Sequence, residues 1–387
     1  MAFINVFLAG HSWRGVLAGL PDFSSFYTAA RIMHEGNASH LYNAQLQEAV
    51  QTSFAAPAVT QRNAILPYNH PPFEAWLFAP LGRFSFLTAY LIWLAFNLGL
   101  LFSVILLLRR HLEQLGRESI YTWLLACFAF YPIVIALLQG QDSILLLLCY
   151  TIVFVSLSRD DGFRAGTGLG LGLFKFQLVL PFFIPFLLLR RSRVILGFSL
   201  AAVMLGFAGL LAVGWRGFIG YPAFVTQTEQ VVWGGMPNLR GLVSVLLPRV
   251  LAHWNSGVLA ICSAALLAAL TYAWSKALAG SGACRTLVFA LSLVAAVLLS
   301  YHLYLHDLSV LFLASLLVFE VASSCQRTWL QSSLYTCLVL LFCSPIYIAL
   351  SLRNHQQLQV LAGILLLFFI FLLKAAAVEA RDFRHPP

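Results

Sequence analysis

Charge is what this sequence has least of. Asp, Glu, Lys and Arg make up 10% of its 387 residues, against about 25% in ordinary soluble domains. So little charge cannot clothe a water-soluble surface. Cysteine is sparse too, at seven. Cys127, Cys149, Cys262, Cys337 and Cys343 fall inside apolar runs, and Cys284 and Cys325 in short polar ones. No CxxC spacing occurs, which excludes a zinc ribbon or a disulfide framework. There is no low-complexity tract and no repeat with a period of about 20–50 residues. A nucleotide loop is missing as well. The stretch "GTGLGLG" (166–172) lacks the GK[ST] ending and follows no strand, so its glycines read as close helix packing. Residues 1–20 are broken by His11 and Arg14 and lack a small-residue cleavage site. They read as a short first helix rather than a secretory signal.

What is present is apolar length. Hydrophobic residues reach 60%, and runs of about 20 residues, the span of a bilayer, recur along the chain. The expectation is an all-α, polytopic membrane protein forming one unit over 1–387. Spans are expected near 2–20, 86–108, 120–138, 143–158, 193–214, 256–275, 286–301, 308–322, 330–350 and 358–374. Stretch 165–189 carries Lys175 at its middle and Arg190, Arg191 and Arg193 after it. Read as two short helices meeting at Lys175, it keeps that basic cluster on the same side as Arg109 and Arg110, as the positive-inside bias requires. About twelve spans result. The net charge of +9 is then explained by topology and anionic lipid head groups, not by nucleic acid.

Two long segments lie on the other side, 21–85 and 215–255. In the first, 24–35 and about 43–54 have helical spacing and are expected to lie in the interface. The second, rich in aromatics and glycine, is expected to be a loop at the lipid–water boundary. The polar residues gather on this same side: Asp22, His70, Asp142, Lys175, Arg240, His302, His306 and Asp307. Ionisable groups at membrane depth are costly and line pathways or sites. Each has a plainer reading. Asp22 would cap a helix starting near Ser24. "YNHPPF" would be a rigid turn. Lys175 would reach out from a helix end. His302 and His306, four apart, would stack on one helix face; that spacing suits a metal pair, but only Asp307 offers a third ligand, so neither metal nor cofactor is expected.

The segments "DFSSFYTAARIMHEGNASHLYNAQ" and "LPYNHPPFEAWLFAPLGRF" resemble the first outer loop of glycosyltransferase family 87. The matching positions are Asp22-Phe23, Gly36, Leu41-Tyr42-Asn43, Tyr68-Asn69-His70-Pro71-Pro72-Phe73 and Pro80-Leu81, with Gly140-Gln141, Lys175, Asn238 and the His302 segment as later landmarks. The resemblance runs from residue 22 to about 310. It departs in two places: the N-terminus is short, and "HLYLHD" lacks the adjacent His-His pair of the mycobacterial members.

The resemblance implies a GT-C-type fold and transfer of a sugar, mannose in the best-known members, from a polyprenyl-phosphate donor to a lipid or glycan acceptor. It implies inversion at the anomeric carbon and work on the periplasmic face of a bacterial inner membrane. Asp22 becomes the general base. Lys175, Arg240 and His302 or His306 become the cations facing the departing phosphate, with His302 placed among the catalytic groups. Tyr68, His70, Gln141 and Asn238 become substrate-binding. A flippase of lipid-linked sugars is the rival from another class, and aminoarabinose or arabinofuranose the rival sugars.

Overall fold

The computed structural model describes residues 1–228, 235–247, 254–323, 327–352 and 357–382. Helix and turn fill them, with no strand among the described residues. Among the described residues, seven helical segments, 162–188 included, are long and apolar enough by length and composition to cross a membrane, and nine result if each of two bent pairs counts as one. The expected twelve are not reached, because several apolar runs do not make straight rods. Residues 2–20 form two short helices, Ala2–His11 and Trp13–Leu17. Run 120–138 bends by 76° between Ala129 and Tyr131, and run 330–350 by 54° between Phe342 and Ser344. Pro132 and Pro345 start the second limb of each bend, where the missing N–H costs no helical bond.

Helix Ser143–Ser158 is the reference rod for the site. Helices Gly162–Leu171 and Phe176–Leu188 both lie beside it. Along the first, a Cβ on Gly172 would sit 2.9 Å from Leu146, and one on Gly168 would sit 3.0 Å from Val153. Along the second, Tyr150 Oη donates to the Leu178 carbonyl at 3.0 Å, and Phe186 stands with Phe154 and Leu157 around one cavity. Lys175 lies 2.9 Å from Asp142, at the rod's start. Gly162 and Leu189 both lie by Ser158, at its end. Segment 162–188, a single span by length alone, therefore doubles back at Lys175. Its limbs of 10 and 13 residues reach only about 15–20 Å.

The next helix, Ser192–Thr228, runs parallel to Gly162–Leu171 and touches it without side chains between. A Cβ on Gly166 would lie 2.0 Å from the Val194 carbonyl oxygen, and one on Gly197 would lie 2.1 Å from that of Phe163. The glycines of "GTGLGLG" are thus a packing seam. Ser192–Thr228 breaks at Gly214 (φ 66°) and continues as helix to Thr228. Much of the expected 215–255 loop is therefore helical, through this extension and Leu239–Leu246; residues 229–234 and 248–253 of it lie outside the described part. An aromatic-rich sequence is compatible with either state, and period alone did not separate them.

Segment 21–85 packs as a second apolar cluster around Phe23, Phe26, Tyr27, Tyr68, Phe78, Tyr90 and Trp93. Helix Phe23–His34 is buried along its first eight residues. Helix Ala44–Arg62, longer than expected, is capped by Asn43 and carries two buried glutamines. Gln47 binds both the N–H of Tyr68, at 2.8 Å, and its carbonyl, at 3.2 Å. Gln51 likewise takes the N–H of Leu66, at 2.7 Å, and its carbonyl, at 2.9 Å. These amides replace the partners that an extended backbone lacks away from a sheet, and they hold "LPYNHPP" in place.

Candidate active site

Asp22, His70, Gln141, Lys175, His302 and His306 meet around a cavity of about 550 Å³. It lies at the end of the molecule where the hairpin turns, opposite Arg190, Arg191 and Arg193. Three pieces of chain form its polar floor: the turn 139–143, the hairpin apex, and Tyr304 to Asp307.

Asp22 precedes helix Phe23–His34, but its side chain makes no capping bond. Its Oδ2 accepts from Gln141 Nε2 at 2.8 Å, and its own N–H donates to Gln139 Oε1 at 3.0 Å. His306 Nδ1 stands 3.7 Å from the same Oδ2. Asp22 remains 35% exposed, whereas Asp142 and Asp307 are sealed at 0% and 2%. It is thus the carboxylate of this cluster that a substrate can reach. Gly140 makes the approach possible: it turns at φ 62°, and a Cβ there would strike Phe23 at 2.7 Å.

Lys175 is not a bare cation. Its Nζ lies 2.7 Å from Asp307 Oδ1 and 2.9 Å from Asp142 Oδ1. Asp307 also accepts from the Tyr304 N–H at 3.0 Å and, more loosely, from Ser143 Oγ at 3.3 Å. The ammonium bonds Asp307 and faces Asp142 at ion-pair distance, which leaves a third N–H direction open, and the trio carries one net negative charge. Behind it, His70 Nδ1 meets Glu74 Oε2 at 3.0 Å and Asp142 Oδ2 at 4.0 Å. Burial holds the His70 imidazole down to about 4. Burial, and then the Asp142 carboxylate, push the Glu74 carboxyl well above its usual range. Burial thus favours the protonated form of Glu74 beside His70. His70, Glu74 and Asp142 also bring three potential ligand atoms within 4.8 Å of one another, the arrangement that could hold a metal ion.

The remaining residues stand further back. Tyr68 is fully buried, with its hydroxyl on the Pro71 carbonyl at 3.2 Å. Asn238 accepts from the Gly241 N–H at 2.9 Å, capping Leu239–Leu246, and donates to the Ser300 carbonyl at 2.7 Å. Arg240 donates to the Tyr301 carbonyl at 2.9 Å. These two brace the segment that carries the histidines. His302 lines the cavity, with its ring against Tyr304 at 4.7 Å, but His306 is the histidine beside Asp22. The two do not stack on one helix face: Leu305–Val310 is a 3-10 turn and His302 precedes it.

Glu74, Gln139 and Tyr304 were not anticipated. Glu74 had one signal, an acid four residues after His70 on an apolar background.

A model of glycosyltransferase family 87 matches residues 68–301. The matched segment includes Tyr68, His70, Gln141, Lys175, Asn238 and Arg240, but leaves Asp22, His302 and His306 outside it. No curated protein and no solved structure matches the chain at a significant level. The match covers more than half of the sequence, and the chain belongs to glycosyltransferase family 87.

Proposed function

We propose that this membrane glycosyltransferase takes a sugar, mannose in the first instance, from a polyprenyl-phosphate donor and passes it to a hydroxyl of a lipid or glycan. The observation that carries the reading is the reachable Asp22 carboxylate, pinned by Gln141 at 2.8 Å inside a 550 Å³ cavity. Substitution at an anomeric carbon passes through an oxocarbenium-like state. The acceptor hydroxyl attacks opposite the phosphate and gives its proton to Asp22, which inverts the centre. Gln141 fixes the angle of the carboxylate, and His306 limits where the nascent acid can turn.

On the leaving side, negative charge grows on the phosphate. Lys175 offers its third N–H, although two aspartates offset its charge. A ring N–H of His306 or His302, both lining the cavity, donates to the phosphate oxygens, and Arg240 adds a positive field from behind them, which counts for more in a dry site than in water. A cavity at the end of the apolar helices suits a donor whose tail stays in lipid. The arginine-rich turns at the other end support, through the positive-inside bias, a cavity facing the periplasm of a bacterial inner membrane.

The test is product analysis. Purified protein is incubated with polyprenyl-phosphate mannose and, separately, with aminoarabinose and arabinofuranose donors, and the acceptor fraction is weighed by mass spectrometry. A mannose adduct with inverted configuration supports the proposal. An adduct from another donor only moves the sugar assignment. Translocation of donor without bond cleavage would make the chain a flippase.

A further inference from the structure

At the end opposite the active site, helices Ser143–Ser158, Phe176–Leu188, Asn255–Ala277 and Gly282–Leu299 enclose a second cavity of about 960 Å³. It is larger than the active-site cavity and shares none of its residues. Its depth is aromatic. Phe186 packs on Trp274 with ring centres 4.8 Å apart, and Phe154 on Phe289 at 5.3 Å.

Its mouth is basic. Arg190, Arg191 and Arg193 are exposed there, and their guanidinium groups form no hydrogen bond or ion pair among the described residues. The nearby acids are largely occupied. Asp160 is paired with Arg285 at 2.8 Å. Glu320 accepts the N–H groups of Gln114 and Leu115 at 2.8 and 2.9 Å. Glu113 is the remaining acid of the lining; since backbone N–H groups leave Glu320 its charge, three guanidinium groups face two carboxylates and the mouth keeps a positive excess. His111 adds a buried nitrogen. Its Nδ1 engages the Leu107 carbonyl at 2.8 Å, while Nε2 has no hydrogen-bond partner among the described residues.

A cavity between apolar helices, closed below by packed aromatic rings and rimmed by unpaired arginines, suits the phosphate head of a lipid. Basic pockets between membrane helices hold anionic head groups in this way, and guanidinium binds phosphate with two parallel bonds. We propose that this cavity is a second ligand site, taking the phosphate head group of an anionic membrane phospholipid, with its acyl chains left in the surrounding bilayer.

The experiment uses the full-length protein in nanodiscs of phosphatidylcholine mixed with phosphatidylglycerol. Retained lipid is read by native mass spectrometry. Two charge-matched variants are compared: Arg190→Ala/Arg193→Ala in the collar, and Arg159→Ala/Arg164→Ala at the same end but outside the cavity. The parent is expected to retain phosphatidylglycerol over phosphatidylcholine, and the collar variant to lose that retention by about tenfold or more. The control variant should match the parent. Equal loss in both variants would reduce the effect to surface charge and overturn the proposal, as would a parent with no lipid preference. Displacement of the lipid by inorganic phosphate at similar concentration would overturn it in favour of a soluble phosphate ligand. Arg190 sits at φ 52°, which asparagine tolerates, so Arg190→Asn/Arg193→Gln replaces the collar variant if the alanines unfold. Sugar transfer serves as the control for folding.

Discussion

Asp22 and Gln141 hold each other across 119 positions of sequence, through a 2.8 Å bond from the amide Nε2 to the carboxylate Oδ2. The neighbouring bond from the Asp22 N–H to Gln139 at 3.0 Å closes a two-point grip between the start of one helix and the end of another. A side chain used as a cap would point back at its own helix. This one points across the cavity mouth.

Asp22→Asn keeps the shape and the grip but cannot take a proton. Turnover is expected to fall by about 10²–10⁴, the usual worth of a positioned base. The thermal midpoint should move little, because Asp22 is partly open to water and its amide analogue can still bond Gln141. Wild-type turnover by the purified variant would remove Asp22 from the chemistry.

Gln141→Leu leaves the base in place but unpinned. The expected loss in kcat/KM is roughly tenfold, the worth of one bond to a charged group. Gln141→Glu should do worse, since a second carboxylate faces Asp22. If neither change alters the pH–rate profile or the rate, Gln141 is a spectator.

Lys175→Ala strands two buried aspartates. Breaking a buried ion pair on one side costs about 3–5 kcal/mol, so the variant should melt early and bind donor weakly. Pairing it with Asp307→Asn should restore part of the stability. A double variant no more stable than Lys175→Ala would show that the three groups are not linked.

The pair His70–Glu74 sets two opposed pH responses. His70 is held down to about 4, against about 6.5 in an unfolded chain. The unfolded chain therefore binds a proton that the fold refuses, and stability falls as pH drops from about 6.5 towards 4. Glu74 is raised, so its contribution is present below about 4.5 and is lost as pH climbs through the raised value. Melting curves against pH should show the acid loss reduced in His70→Gln and the alkaline loss reduced in Glu74→Gln. Curves parallel to the parent in both variants would sink this assignment.

Burial favours the neutral form of Glu74, and a neutral Glu74 can lie beside Asp142 with no ion between them. EDTA is expected to leave turnover unchanged. Loss of activity restored by Mn²⁺ or Zn²⁺ would assign His70, Glu74 and Asp142 to a metal instead.

The membrane class was legible in the sequence, and so was the gathering of Asp22, His70, Lys175, His302, His306 and Asp307, though Arg240 stands behind them, because apolar length and misplaced charge are one-dimensional signals. The glycine seam was legible too, since four glycines two apart mark where backbones can touch. Bends were not: Pro132 and Pro345 stood in plain view, yet a hydropathy run counts residues and not angles. Nor could sequence choose between His302 and His306. A spacing of four implies a shared face only on an α-helix, and Leu305–Val310 winds as a 3-10 turn. Lys175 was expected to face a phosphate; that Asp142 and Asp307 already embrace it depends on contacts between distant segments.

That embrace has a consequence for biogenesis. The ammonium is neutralised only when the hairpin tip, the start of Ser143–Ser158 and the Leu305–Val310 turn have all arrived together. A chain that inserts one of them wrongly must keep a naked charge in oil or let water in to meet it. The ion trio therefore ties three distant segments to one arrangement: any packing that separates them leaves Lys175 unshielded and is disfavoured by that exposed charge.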